Sequence, residues 1–202
     1  MDDLAARIAA RADAAPGRFL VGIAGAPGAG KSTIAEELVT RLGPRAALVP
    51  MDGFHLDNAI LDARGRRFHK GSPDTFDVGG LVSVLQRLKA GGEVIVPVFD
   101  RYRDVSVGSA RIVPVDAKII ISEGNYLLLQ DEPWTALAPL WDMRVFLDVP
   151  EADLERRLIA RWEHHGLSAE EGRRRAFDND IPNARTVIAR SAKADVVLSQ
   201  NN

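Results

Sequence analysis

The sequence predicts an α/β fold: a central, mainly parallel five-stranded sheet with helices on both faces, a small edge hairpin and a helical lid. Three observations predict it. Short apolar runs at residues 19–24, 46–51, 118–123, 145–149 and 194–198 alternate with stretches of helical spacing, the pattern that builds parallel sheets. A glycine-rich turn joins the first run directly to a helix. Two further β-type runs, at 94–98 and 111–115, each carry a proline, which argues for edge positions outside the central sheet.

The elements follow in order. Residues 1–15 place Asp2, Asp3, Arg7, Arg11 and Asp13 with alternating sign, as an amphipathic helix would, and Pro16-Gly17 ends it. The first strand begins at about Phe19, and a helix from Ser32 to Leu42 follows the turn. The second strand, 46–51, ends at Asp52-Gly53. Residues 54–76 contain Arg64-Gly65-Arg66-Arg67, Lys70-Gly71 and Ser72-Pro73-Asp74 with few apolar side chains, so an irregular, solvent-facing segment is expected. Long irregular segments within compact domains tend to be functional. Leu81, Val84, Leu85 and Leu88 follow helical spacing over 78–88, and Gly91-Gly92 stops that helix. The two proline-bearing strands flank the polar loop Asp100-Arg101-Tyr102-Arg103-Asp104. The buried run 118–123 carries Glu123 at its carboxyl end, and the run 145–149 is followed by Pro150 as a first-turn proline. The next helix puts Leu154, Leu158 and Trp162 on one face, Arg157 and Arg161 on a neighbouring one, and Gly166 at its end. Ser168 with Glu171 makes a capping box, and a helix over 185–192 and a strand at 194–198 complete the chain. No repeat, linker or low-complexity tract interrupts this order, so one domain spanning 1–202 is expected.

At 202 residues, 46% apolar and 27% charged, the chain has the composition of a globular protein with one substantial core. A formal net charge of −2 gives no support to a nucleic-acid or membrane-surface role. The absence of cysteine excludes disulfides, thiolate catalysis and cysteine-ligated metal. Neither a signal-peptide pattern nor an apolar run of membrane-spanning length is present, so a cytoplasmic location is expected by absence of any other address.

One stretch dictates a chemistry. Gly25-Ala26-Pro27-Gly28-Ala29-Gly30-Lys31-Ser32, with Thr33 behind it, reads as a Walker A phosphate loop in the strand-loop-helix context that motif requires, which makes the fold that of the P-loop NTPases. Gly25, Gly28 and Gly30 lack a Cβ, so the backbone can take positive φ and turn its N–H groups onto a phosphate at the positive end of the helix. Lys31 would reach the β- and γ-phosphates, and Ser32 would hold Mg²⁺. A dinucleotide fold would also place an acid such as Asp52 about 20 residues past its loop, but no G-x-G-x-x-G fits these glycines.

In an open parallel sheet, ligands bind outside the carboxyl ends of the strands, so the loop, Asp52 and Glu123 should face one crevice. Glu123 fits the place of the Walker B acid that holds Mg²⁺. Asp52 could accept the proton of a substrate hydroxyl, or simply form a turn with Gly53. Arg157 and Arg161, one helical turn apart, could close on the transferring phosphoryl group or form a solvated face, and Arg173-Arg174-Arg175 reads as solvated. His164-His165 are placed to interact with a helix C-terminus, while His55 and His69 are open between substrate contact and surface exposure.

Further segments carry a family resemblance: MDGFHLDN at 51–58, RGRRFHKGSPDTFD at 64–77, PVFDR at 97–101, ISEGNYLLL at 121–129 and NDIPNAR at 179–185. With the phosphate loop, they make the chain resemble the uridine kinase, pantothenate kinase and phosphoribulokinase group of P-loop small-molecule kinases, most closely its bacterial fructose-transport-system or nucleoside kinase-like branch. The resemblance implies ATP and Mg²⁺ as cofactors and a small-molecule acceptor, with Asp52 as catalytic base, Lys31 and Ser32 serving phosphate and Mg²⁺, and Glu123 completing the metal site. Arg161 becomes a lid arginine with Arg157 beside it, and His55, Lys70, Asp100 and Arg101 fall where relatives hold the acceptor. Relatives acting on uridine carry Tyr-Asp-Phe where this chain has Val98-Phe99-Asp100-Arg101, a departure that leaves a sugar, a nucleoside and a pantothenate-like alcohol all open. A homodimer is one assembly open to such a kinase. The competing expectation is a regulatory P-loop NTPase: Asp77-Val78-Gly79-Gly80 matches the D-x-x-G pattern of GTPases, although no N-K-x-D is present.

Overall fold

In the computed structural model, which describes residues 1–164 and 166–199, every strand of the main sheet runs in the same direction. The elements are α1 (Asp2–Ala14), β1 (Phe19–Gly25), α2 (Lys31–Leu42), β2 (Ala46–Leu48), α3 (Asn58–Ala63) and α4 (Val78–Ala90). After them come β3 (Val94–Asp100), β4 (Val105–Val113), β5 (Ile119–Glu123) and β6 (Met143–Asp148). The chain continues through α5 (Glu151–His164), α6 (Ala169–Arg175), α7 (Ile181–Arg190) and β7 (Val196–Ser199). The five-stranded sheet has the order β2-β5-β1-β6-β7, which puts the first strand in the middle. Ile23 of β1 lies opposite Glu123 of β5, and Gly25 opposite Leu147 of β6, so the carboxyl ends that carry the polar residues are level.

Alternation along β1 explains the layers. Val21 and Ile23 point into one core with Ile8 of α1, Leu38 of α2 and Leu158 of α5. Leu20 and Ala24 point into the other with Leu81 and Leu85 of α4 and with Trp141. Both faces are therefore covered, as an all-parallel sheet requires.

Four sequence expectations are corrected. The second strand stops at Leu48: Val49 N still donates to Ile121 O at 2.8 Å, but Pro50 has no N–H to give, and Met51–Phe54 winds into a 3₁₀ turn. Asp52 thus sits on a turn beyond the strand. The segment 54–76 is only partly irregular, because Asp57 caps α3 by accepting from Ala59 N at 2.8 Å, with 3₁₀ turns at Arg67–His69 and Pro73–Thr75. With Leu61 alone of α3 buried, that helix leaves no apolar period in the sequence. The two edge runs do form a separate antiparallel pair, with a register shift between Val96 and Val98, yet they extend to Asp100 and Val105, so their loop is shorter than expected, and β4 ends at Val113 before Pro114. The last helix starts at Ile181 and not at 185, fed without a break from α6 through a wide π-helical turn at Ala176–Asp180. The capping box at Ser168 and Glu171 is present. His165, placed from the sequence beside a helix end, lies outside the described residues. Among the described residues no helix is long and apolar enough to cross a membrane.

Candidate active site

The loop between β1 and α2 opens at the middle of the sheet's carboxyl edge. Gly28 (φ 82°) and Gly30 (φ 85°) take the left-handed conformation that turns successive N–H groups inward. Gly25 does not: it closes β1, where a Cβ would stand 2.9 Å from Leu147 O, so close packing on β6 is its requirement. Ala26 and Ala29 are buried and tighten the loop through the Ala29 N–Ala26 O bond of 3.1 Å, while Pro27 and Thr33 line the crevice. Lys31 is the first residue of α2, and its Nζ donates to Ala26 O at 2.9 Å. Burial pushes its ammonium down to about 8, opposed by the carboxylates of Glu123 and Asp52. Ser32 Oγ donates to Glu123 Oε1 at 3.2 Å. Glu123 is 5% exposed, and its carboxyl is pushed up by burial and by Asp52, with Lys31 and the Ser32 bond pulling the other way.

Asp52 approaches from the neighbouring 3₁₀ turn. That turn is seated twice, by Ser106 Oγ donating to Gly53 O and by Met51 packed under Gly124, where a Cβ would lie 2.4 Å from Met51 Cβ. Gly124→Ala must therefore move Met51 and with it Asp52; the expected loss is about 1–3 kcal/mol of stability, read by denaturant unfolding, together with a fall in turnover. Wild-type stability and turnover in that variant would show that the contact does not position Asp52.

Arg101, on the hairpin loop, donates to Asp52 Oδ2 at 2.8 Å. His55 is stacked on Phe76 with centroids 4.1 Å apart and tilted against Phe99 at 4.7 Å. Burial pushes its imidazole down to about 4, so it is neutral near pH 7, and its Nδ1 has no hydrogen-bond partner among the described residues. Lys70 donates to Asn58 Oδ1 at 2.7 Å and to Asp104 O at 2.6 Å, with its ammonium 5.0 Å from the Phe99 ring centre. Asp100 is turned away from the crevice: its carboxylate accepts from Arg103 N at 2.9 Å and closes the hairpin loop.

The third side comes from α5, α6 and the π-helical turn. Arg161 Nη2 lies 3.3 Å from Asp180 Oδ1, and Trp162 Nε1 donates to Asp180 Oδ2 at 2.6 Å. Burial pushes the Asp180 carboxyl up, against the pull of Arg161. Arg157 reaches Gly28 O at 3.4 Å and so touches the phosphate loop without lining the crevice. Arg173 and Arg174 are exposed as expected, but Arg175 is half-buried and lines the crevice, its guanidinium over the rings of Phe68 and Trp162. The resulting crevice of about 510 Å³ has the size of a small-molecule site.

Lys31, Ser32, Asp52, Glu123, His55, Lys70, Arg101 and Arg161 are thus brought together. Sequence reasoning missed Arg67, Phe99, Asp104, Asn125, Arg175 and Asp180. Arg67, Phe99, Asn125 and Asp180 stand inside the quoted motifs, which are the available signal; Arg175 sits in a basic run that reads as surface. Asp77 accepts from Gly80 N at 2.8 Å as the N-cap of α4, which accounts for the D-x-x-G match as a helix start. Among the described residues no group of three or more His, Cys, Asp or Glu is arranged to hold a metal. Ser32 and Glu123 nevertheless supply hard oxygen donors, a set that fits a cation taking one or two protein oxygens plus substrate phosphates and water, as Mg²⁺ does.

Comparison with known proteins gives consistent matches. A family model described as the Phosphoribulokinase / Uridine kinase family matches residues 20–200. The Escherichia coli (strain K12) protein YggC is 36% identical over 186 residues, which cover 90% of this chain and 77% of that protein. A pantothenate kinase of Sorangium cellulosum (strain So ce56) is 34% identical over 212 residues, covering 90% of this chain and 68% of that one. A crystal structure from Silicibacter sp. TM1040, named "putative fructose transport system kinase", superposes with a TM-score of 0.88 at 44% identity over 91% of each chain.

Proposed function

Because the chain belongs to the phosphoribulokinase and uridine kinase family and is a P-loop kinase, we propose that it transfers the γ-phosphoryl group of ATP to a hydroxyl of a small metabolite, with Mg²⁺, as one kinase domain. The observation that carries this reading is the meeting of two unlike halves in one crevice. On one side stand the phosphate loop, Lys31, Ser32 and Glu123; on the other stands Asp52, tied to the hairpin through Arg101 and backed by the His55, Phe76 and Phe99 rings.

On this reading the inward N–H groups of Gly28 to Thr33 and the Lys31 ammonium hold the triphosphate. Ser32 and Glu123 would hold the Mg²⁺, which supplies charge neutralisation for the phosphates. Asp52 accepts the proton from the acceptor hydroxyl as its oxygen bonds to the γ-phosphorus; the bond from that phosphorus to the bridging oxygen breaks, and ADP leaves with the electron pair. Arg161 swings from Asp180 to the transferring group, and Arg157 steadies the loop from behind. His55, Lys70 and Arg101 shape the acceptor side, and Asp100 acts there only by holding the hairpin loop.

ADP release with Mg²⁺ and a panel of sugars, nucleosides and pantothenate-like alcohols tests the reaction class. Stimulation by one alcohol, abolished by chelating the metal, is expected. Phosphorylation of a nucleoside monophosphate in its place would overturn the hydroxyl acceptor.

A further inference from the structure

We infer that the acceptor carries an anionic group, a phosphate or a carboxylate, beside the hydroxyl that is phosphorylated, and that Arg67 and Arg175 hold that group. The inference rests on the reading above that a small alcohol is the acceptor, and it narrows that class by charge.

The charges lining the crevice do not balance. Lys31, Arg67, Lys70, Arg101, Arg161 and Arg175 face it, against only Asp52, Asp104, Glu123 and Asp180. At the phosphate loop, Lys31 neighbours Glu123, and Arg161 pairs with Asp180 at 3.3 Å. Across the crevice, Arg101 is taken by Asp52 at 2.8 Å and Lys70 by Asp104 at 3.1 Å. Arg67 reaches the same Asp104 only at 3.4 Å and must share it. Arg175 makes no close ion pair among the described residues, and its charge acts only on the Asp180 carboxyl, which Arg161 already holds. Two guanidiniums thus have only the share of a carboxylate that another cation holds more closely or directly.

Both belong to one place. Arg67 opens the 3₁₀ turn Arg67–His69, and the Arg175 guanidinium lies 4.6 Å from the ring centre of Phe68 in that same turn and 5.2 Å from that of Trp162. Stacking occupies the flat face of a guanidinium and leaves its N–H edge, which suits a planar or bidentate anion. The 54–76 segment that carries Arg67 also carries Lys70 and His55, and Arg67 is bonded to the hairpin through Asp104. These are the acceptor-side elements, whereas the triphosphate has its own donors in the loop. A neutral sugar would leave these two cations with a shared carboxylate each; an anionic acceptor supplies the missing charge.

The test offers the full chain, with ATP and Mg²⁺, matched compounds that differ in charge: glycerol and glycerate, glucose and gluconate, ribose and ribose 5-phosphate, fructose and fructose 6-phosphate. ADP release is read, and binding is read separately as the melting temperature of the ADP-bound protein. The charged member of at least one couple is expected to exceed its neutral partner in kcat/KM by about tenfold or more, the loss associated with a charge-assisted hydrogen bond, and the couples separate carboxylate from phosphate. Arg67→Gln and Arg175→Gln should each raise KM for that acceptor by about tenfold, with KM for ATP changed by less than about twofold and a partial return in Arg175→Lys. Arg67 has a 43% exposed side chain, so its variant keeps the fold and carries the test if Arg175→Gln does not. Neutral members used as well as their charged partners would overturn the inference and leave the kinase reading standing. So would arginine variants that act equally on KM for ATP, or a failure of every charged member to bind or react. A charged member that binds and is never phosphorylated would keep the anion site and sink the kinase reading.

Discussion

Asp52→Asn is expected to lower phosphoryl transfer by about 10³-fold in kcat while ATP affinity stays within about twofold. Asparagine keeps the length of the side chain and one oxygen acceptor for Arg101, which now lies 2.8 Å from Asp52 Oδ2, so the bridge between the turn and the hairpin is retained. What is lost is the group able to take a proton from the acceptor hydroxyl. The phosphate loop, Lys31 and Ser32 sit on other elements and make no hydrogen bond to Asp52, so the change reaches them only through the lost charge near Lys31 and Glu123. Steady-state turnover with the acceptor that the wild type uses, alongside nucleotide titration by calorimetry, measures both halves. Turnover near the wild-type level would move the base elsewhere, and a parallel loss of ATP affinity would make Asp52 part of the nucleotide site.

Lys31→Met should lower kcat by about 10²- to 10³-fold and weaken ATP binding, because in the proposed reaction the buried ammonium meets charge developing on the transferring phosphates. Little stability should be lost with it. Burial already works against the charged form, which is why the group is pushed down to about 8, and methionine fills a similar volume without that cost. The same shift sets a pH dependence. Above about pH 8 the free protein has lost the Lys31 proton, whereas a bound triphosphate holds the lysine protonated, so binding takes up a proton there. Wild-type ATP affinity is therefore full below that value and falls as pH rises through it, and the Met variant lacks this slope. Calorimetric titrations on either side of pH 8 check it; identical pH profiles in the two proteins would show that Lys31 does not meet the phosphates.

Much of this was legible in residue order. The runs 19–24, 118–123 and 145–149 correspond to β1, β5 and β6, because strands buried on both faces must be continuously apolar. The capping box at Ser168 and Glu171 was legible for the same local reason, two side chains three residues apart each meeting a backbone N–H of the other. The apolar pattern of the second strand continues through Val49 and Met51, while Pro50 ends the ladder, so the pattern overstates the strand's length. The helix α3 was invisible because a two-turn helix with one buried leucine carries no measurable period. The motif groups Gly25 with Gly28 and Gly30, although the reason for Gly25 is the Leu147 carbonyl on a strand more than a hundred residues later.

By itself, then, the sequence determined the phosphate loop, the buried parallel strands and Glu123 at the end of one of them, because each is encoded in neighbours whose spacing matches one strand or helix. Only the tertiary structure decided which charges share the crevice. It brought Arg67 and Arg175 to one 3₁₀ turn, set Arg101 on Asp52, and folded Asp100 back onto its own loop. Arg67 and Arg175 are far apart in the chain, and they line one crevice because the run of α6 into the π-helical turn carries the Arg175 guanidinium over the rings of Phe68, next to Arg67, and Trp162. No periodicity within either segment carries that information, since the side of a surface arginine that meets solvent or substrate is set by what packs opposite it.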